Sequence, residues 1–202
     1  MRTVRPRPEE VIPSIQRVLR RAGGSGRETG ALLLFAQKAI ATLAELSKPA
    51  GFWITSAIIS SYETRIETPG FTIESRDMAR RLSGCEWLTT FLVTIGHGPE
   101  RECESLSGRG EHTLSLLLDA AASEMTEELL RLAHRKAAET LVDFTGTARY
   151  APGYGDFSLS HQSDIVRLFG RDRTGVMAIE GSFMLIPRKS ATAIVGWKRR
   201  IG

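Results

Sequence analysis

The chain has 202 residues, of which 42% are hydrophobic and 25% charged, the proportions of an ordinary globular protein. This length predicts a single domain spanning residues 1–202, with residues 1–8 flexible, although two small domains would also fit. The sequence has neither the ~18-residue apolar run of a membrane helix nor a secretory signal, so we predict a cytoplasmic protein without membrane contact. The net charge of +4 comes with no aromatic residues interleaved among the basic ones, which argues against nucleic acid as a partner.

The first quarter of the chain is predicted to form two helices and a strand. A helical pattern opens at Pro8 and stops at the glycine-rich loop that begins at Gly23. A second helix is predicted over residues 28–46, because apolar residues recur there at spacings of four, four and three. Residues 52–59 are rich in aromatic and β-branched side chains, which predicts a strand.

The middle of the chain contains the clearest strand and the longest helix. Ser75 is predicted to cap a short helix that ends near Gly84. Residues 88–95 alternate between two sets of apolar and threonine side chains, which is typical of a strand. Residues 96–99 form a turn, and the longest helix is predicted over residues 113–142, with apolar residues on more than one side.

The last quarter is predicted to hold one helix and three strands. Ser158 is predicted to cap a helix that stops at Gly170. Strands are predicted over residues 176–179, 183–186 and 191–197, and their close spacing leaves no room for helical crossovers, so they should be antiparallel. Since helices and strands follow no regular βαβ order, we predict an α+β fold with an antiparallel sheet and several flanking helices.

Common catalytic and metal-binding motifs are absent from the sequence. It has no phosphate-binding GxxxxGK[ST] loop, no HExxH or CxxC motif and no GxSxG elbow. The four histidines share no ligand spacing, so no metal site is predicted. Cys85 and Cys103 are too few for a disulfide scaffold and are predicted to be free thiols, buried or half-buried. The search for common motifs therefore predicts no more than a soluble α+β domain.

One unusual segment, RYAPGYGDFSLSHQ over residues 149–162, is more specific to one family than the rest of the sequence. It resembles the R-x-x-x-G-Y signature of the activation domain of cobalamin-dependent methionine synthase. Residues 182–187, followed by Ser190 and the Gly196-Trp197 pair, are similar to the S-F-x-M-x-P…S…G-W tail of that family. Residues 75–96 are similar to the matching stretch of short, single-domain relatives, so the resemblance covers most of the chain from about residue 9.

The resemblance implies a role in reactivating an oxidised cobalamin. In that family, an electron donor reduces the cobalamin, and the methyl group of S-adenosylmethionine (AdoMet) traps the reduced form as methylcobalamin. A free-standing version would be an accessory protein for a separate corrinoid methyltransferase, in a system of the methionine synthase type that serves methionine biosynthesis. Its partners would be the cobalamin-bearing subunit and a flavodoxin or ferredoxin as electron donor. The chain would supply positioning rather than a catalytic residue of its own.

Two charged residues are implied as ligands of the amino-acid end of AdoMet. A guanidinium such as that of Arg149 can bind the carboxylate through two parallel hydrogen bonds. The family's L-A-E motif on the long helix best matches Met125-Thr126-Glu127, so the carboxylate of Glu127 would pair with the ammonium. The alternative is that Arg149 and Glu127 are ordinary surface charges that bind no ligand, as we expect for Arg188 and Lys189.

The residues after Arg149 are implied to hold the adenosine through their backbone. This segment comprises Ala151, Pro152, Gly153 and Tyr154. Glycine lets the backbone come close to a ligand because it has no Cβ. Tyr154 is expected to face the cobalamin side. In any other protein the same residues would shape a turn with an exposed aromatic residue.

Two rival functions remain open at this point. Residues 160–163 read S-H-Q-S where the family continues with H-x-E-K, which favours a non-enzymatic docking module for a corrinoid protein that has lost AdoMet binding. An independent small-molecule or nucleic-acid binder rests only on the mild basic excess.

Overall fold

The structure, a computed structural model, describes residues 1–25 and 30–200. The strands in these residues are β1 (Arg2–Val4), β2 (Ala50–Ala57), β3 (Ser60–Ser61), β4 (Arg65–Glu67), β5 (Thr72–Glu74), β6 (Trp87–Thr94), β7 (Phe144–Gly146), β8 (Met177–Ala178), β9 (Leu185–Ile186) and β10 (Ser190–Arg199). The helices are α1 (Ile15–Arg21), α2 (Ala31–Leu46), α3 (Arg76–Leu82), α4 (Gly98–Gly108), α5 (His112–Ala138), α6 (His161–Phe169) and α7 (Arg171–Thr174). A 3-10 turn at Pro8–Val11 precedes α1.

A five-stranded sheet with the order β1-β2-β6-β10-β7 forms the middle layer. All four neighbouring pairs are antiparallel, and Phe91 on β6 lies between Trp53 on β2 and Ala193 on β10. The predicted α+β class with an antiparallel sheet and flanking helices is therefore confirmed. β10 lies next to the edge strand β7, so the segment that follows β7 in the chain can continue alongside β10.

Both faces of this sheet are covered, and each face has its own core. Helices α1, α2, α4 and α5 contribute to the core on one face, and α3 and α6 with the small strands contribute to the core on the other. The alternation predicted for residues 88–95 is observed, because Phe91 and Val93 enter the first core and Leu88 and Leu92 the second. This follows from the period of two along a strand.

The helix boundaries differ from the predicted ones where backbone chemistry overrides the apolar pattern. The helical pattern from Pro8 is split into the 3-10 turn and α1, with Pro13, which has no backbone N–H, between them. α5 ends at Ala138, four residues before the predicted end at 142. α4 was not predicted at all, because Pro99 and Leu106 are the helix residues it buries.

The predicted helix caps had different outcomes. Ser75 is the N-cap of α3, where its hydroxyl oxygen accepts a hydrogen bond from the Met78 backbone N–H at 3.0 Å, as predicted. Ser158 does not cap α6, since the N-cap position belongs to Ser160. The Ser158 hydroxyl instead lies 2.8 Å from the Ser160 hydroxyl and forms a hydrogen bond within the turn that precedes α6.

Two predictions concern chain segments near the amino end. Residues 1–8 were expected to be flexible, but β1 lies within them and pairs with β2, Thr3 opposite Phe52. This pairing gives the N-terminal backbone hydrogen-bond partners within the protein, which hold it against β2. The start of the second helix, expected at residue 28, lies outside the described residues, and the described part begins at Ala31.

The described part of the chain provides two further observations, on its helices and on its cysteines. None of its helices is long and apolar enough to cross a membrane. Cys85 and Cys103 are half-buried free thiols, as predicted. Burial raises the pKa of both thiols, and that of Cys103 rises to about 11, so neither is an activated nucleophile.

Candidate functional site

A cleft of about 690 Å³ opens beside β10, and we call it the Arg149 cleft. This volume falls within the range of small-molecule sites. Its walls come from five separate parts of the chain. They are Arg81 on α3, Glu127 and Leu130 on α5, residues 149–152 with Tyr154, Gln162 on α6, and the C-terminal stretch that contributes Met184, Leu185, Arg188 and residues 190–193.

The backbone that carries Arg149 is fixed against β10. After β7 ends, the Thr147 N–H donates to the Gly196 carbonyl at 2.8 Å. Tyr150 then forms a bridge with Ile194, with N–H to carbonyl distances of 3.0 and 2.7 Å. Arg149 lies between these two attachments, so its Cα is held by main-chain hydrogen bonds rather than by a loose loop.

The Arg149 guanidinium is only partly satisfied by the protein. Its Nη2 atom lies 3.6 Å from Oε2 of Glu127, and its side chain is 24% exposed. Its Nη1 atom is buried and has no hydrogen-bond partner in the described residues. Burial lowers the pKa of Arg149, while the Glu127 carboxylate opposes this shift. A buried N–H donor without a partner costs free energy. Because Nη1 has almost no accessible surface, it is the rest of the Arg149 side chain that lines the cleft.

His134 lies near Arg149 on the core side. Its ring contacts those of Phe91 and Trp197, with centroid separations of 5.8 and 5.7 Å. Burial lowers the pKa of His134, and the positive charge of Arg149 lowers it further. The imidazole is therefore neutral at physiological pH and adds no second cation behind the Arg149 guanidinium.

An aromatic cluster supports the segment after Arg149. The rings of Tyr150 and Phe157 are nearly parallel, at 14°, with centroids 6.4 Å apart. Phe157 is fully buried in the second core, and its carbonyl accepts a hydrogen bond from the Gly153 N–H at 2.7 Å. Gly153 has φ +95°, which explains why glycine suits this position. The turn over residues 151–157 is thus closed onto a buried aromatic ring.

Asp156 ties the same turn to the start of α3. Its carboxylate accepts hydrogen bonds from the Ser75 hydroxyl at 2.5 Å and from the backbone N–H groups of Arg76 and Asp77 at 2.8 and 3.1 Å. These bonds, with that from Ser75 the largest cause, lower the pKa of Asp156. A carboxylate at a helix N-terminus also interacts favourably with the helix dipole.

We expect Asp156 to make the stability of the fold depend on pH. Because its pKa is lowered in the folded state, its contribution is complete above the ordinary aspartate pKa of about 4 and is lost as the pH falls through the lower folded value. The melting temperature of the wild type should therefore fall more steeply below about pH 4 than that of Asp156→Asn. Asp143→Asn is the control, since the exposed Asp143 carboxylate makes no hydrogen bond within the described residues. Equal slopes for all three proteins would contradict this assignment.

The structure brings together five of the six residues implied by the sequence. Arg149, Glu127, Ala151, Pro152 and Tyr154 all line the Arg149 cleft. The sixth, Gly153, shapes the turn behind them and is not part of the lining. Tyr154 is 64% exposed, with its ring centroid 5.9 Å from that of Tyr150, so it lies at the rim of the cleft.

Sequence reasoning missed the other wall of the cleft, which is distant along the chain. Arg81 reaches it from α3, and residues 190–193 reach it because β10 pairs with β6. As expected, the Arg188 side chain is solvated, at 54% exposed; it also lines the cleft and pairs with Glu100 at 3.4 Å. Lys189, also expected to be solvated, is 14% exposed and pairs with Asp119 at 2.8 Å. An apolar–polar pattern does not reveal which charged residues meet across such distances.

Comparison with known proteins places the fold. The structure is similar to the crystal structure of the MetH reactivation domain bound to AdoHcy (S-adenosylhomocysteine), with a TM-score of 0.73 and 14% sequence identity. The similarity covers 100% of this chain and 79% of that one. Neither a protein-family model nor a curated protein matches the sequence. The chain therefore has the reactivation-domain fold.

Proposed function

We propose that the protein binds AdoMet in the Arg149 cleft and presents its methyl group to a cobalamin carried by a separate corrinoid methyltransferase. The observation that supports this most directly is the pair of opposite charges in the wall of the cleft, where Nη2 of Arg149 lies 3.6 Å from Oε2 of Glu127. The fold adds support, since the similar MetH domain has AdoHcy bound.

The amino-acid end of AdoMet carries a carboxylate and an ammonium on one carbon atom. Arg149 would bind the carboxylate through the N–H groups of its guanidinium. Glu127, whose carboxylate lies 3.6 Å from Nη2, would bind the neighbouring ammonium. A cation and an anion this close match a zwitterion, whose opposite charges are also close together, and neither protein charge is left unpaired.

The adenosine would lie along the backbone that follows. Ala151 and Pro152 line the cleft, and the turn behind them is closed by the bond from Gly153 to Phe157. Backbone N–H and C=O groups give a ligand a fixed set of donors and acceptors, so this turn can orient the nucleoside without moving. The volume of about 690 Å³ leaves room for both ends of the ligand.

The chain's part in methyl transfer would be to bind and orient the donor. The cobalamin of the partner would supply the nucleophile, and a flavodoxin or ferredoxin would supply the electron, in a system of the methionine synthase type. Tyr154 and Met184, which are 64% and 52% exposed at the rim, are the apolar side chains that such a partner would cover. Holding the methyl group in line for transfer lowers the barrier by positioning.

A calorimetric titration of the purified protein with AdoMet tests this proposal. We expect saturable binding with one site per chain, and competition by AdoHcy. Absence of binding to either compound, while the protein still captures a purified corrinoid subunit, would contradict the proposal. That result would favour the docking module to which the S-H-Q-S sequence of residues 160–163 points.

A further inference from the structure

Arg81 occupies an unusual place in the wall of the Arg149 cleft. It lies on α3, far in sequence from Arg149, and its side chain is exposed and lines the cleft. Its guanidinium carbon lies 4.1 Å from the centroid of the Tyr150 ring. In the described residues it has no carboxylate partner, whereas the adjacent Arg80 pairs with Asp77.

The ring under Arg81 is held rigidly. The Tyr150 backbone is bonded twice to Ile194, and its ring is nearly parallel to the fully buried ring of Phe157. Tyr150 both packs against the second core and lines the cleft. A planar guanidinium over such a ring can stack on it, and the face turned away from the ring is then open to a ligand in the cleft.

We propose that the outer face of the Arg81 guanidinium is a stacking surface for the planar heterocycle of the ligand, which under the proposed function is the adenine of AdoMet. The layers from the core outward would be Phe157, Tyr150, Arg81 and the purine. Cation and aromatic planes attract each other through the charge and the π-system, and each base stacked on a protein side chain adds a measurable share of affinity. Arg149 would bind the amino-acid end and Arg81 the base.

The absence of an ion-pair partner for Arg81 in the described residues fits this role. Arg80 forms an ion pair with Asp77, whereas Arg81 forms none in the described residues. The acidic group in the lining of the cleft is Glu127, which is already close to Arg149. Arg81 is therefore available for a neutral partner, and the purine of adenosine is neutral.

The test uses adenosine itself, which has no carboxylate, ammonium or net charge. Adenosine and AdoMet would be titrated by NMR into the full-length wild type, Arg81→Ala, Arg81→Lys and Arg80→Ala. We expect Arg81→Ala to weaken adenosine binding about tenfold, and Arg81→Lys nearly as much, because lysine keeps the charge but has no plane to stack. Arg80→Ala changes the same residue type on the same helix outside the cleft and should stay within about twofold of wild type.

The outcomes separate this inference from the proposed function on which it rests. If the wild type binds AdoMet and Arg81→Ala binds adenosine as tightly as wild type does, the stacking role is wrong and the proposed function stands. Recovery of wild-type affinity in Arg81→Lys would also overturn stacking, in favour of simple charge. If adenosine binding depends on Arg81 but AdoMet does not bind, stacking is supported and the proposed function fails. Binding of neither compound by the wild type would overturn both.

Discussion

Replacing Arg149 by alanine is expected to weaken AdoMet binding at least about 100-fold. The change removes two charge-assisted hydrogen bonds to the ligand carboxylate, and bonds to charged groups contribute about 1.5–3 kcal/mol each. It also leaves Glu127 without the cation 3.6 Å away. Titration calorimetry of the variant against AdoMet gives the ratio of dissociation constants directly.

Two matched variants show whether the loss is specific to the Arg149 site. Arg149→Lys keeps the charge but cannot make two parallel hydrogen bonds, so it should recover only part of the affinity. Arg131→Ala removes another partly buried arginine from the same region, one that pairs with Glu128 outside the cleft, and should bind AdoMet like the wild type. Unchanged affinity in Arg149→Ala, with the fold intact by circular dichroism, would remove this residue from the site.

Replacing Phe157 by alanine is expected to lower the free energy of unfolding by about 3–5 kcal/mol and to weaken ligand binding as well. The first effect follows because Phe157 is fully buried in the second core, where alanine would leave a cavity. The second follows because the Tyr150 ring, which lines the cleft, lies nearly parallel to the Phe157 ring and loses this neighbour in the variant. Urea unfolding and AdoMet titration below the unfolding range measure the two effects separately.

Phe169 provides the control for this variant. It is fully buried in the same core, at the end of α6, and does not line the cleft. Phe169→Ala should therefore lose a similar free energy of unfolding while its folded fraction binds AdoMet normally. If both variants lost binding equally, affinity would depend on overall stability, and Phe157 would have no particular role in supporting the site.

The features predicted correctly from sequence are those that depend on local periodicity. The strand at residues 87–94 and the helix at 112–138 both bury many apolar side chains, so their patterns are strong. α4 buries few residues, and the pattern gave no signal for it. The small strands β3, β4 and β5 come from a polar stretch whose pairing only the tertiary structure decides.

Only one wall of the Arg149 cleft could be predicted from the sequence. Residues 149–154 are contiguous, and their string of arginine, proline, glycine and tyrosine is visible in the sequence. Glu127 came from a motif match, and the structure places it 3.6 Å from Arg149. Arg81 is separated from Arg149 along the chain by β6, α4, α5 and β7, so only the pairing of β6 with β10 and the docking of α3 bring it to the cleft. Contacts of this kind depend on topology, which residue spacing does not encode.

The two cores on opposite faces of the sheet have a thermodynamic consequence. Glu127 belongs to α5, which packs in the first core, and Arg81 to α3, which packs in the second. A ligand bound by both residues would connect the two layers, because unfolding of either layer would also remove part of the ligand's binding site. Ligand binding would then couple the melting of the two layers, and the fold would gain cooperativity along with affinity.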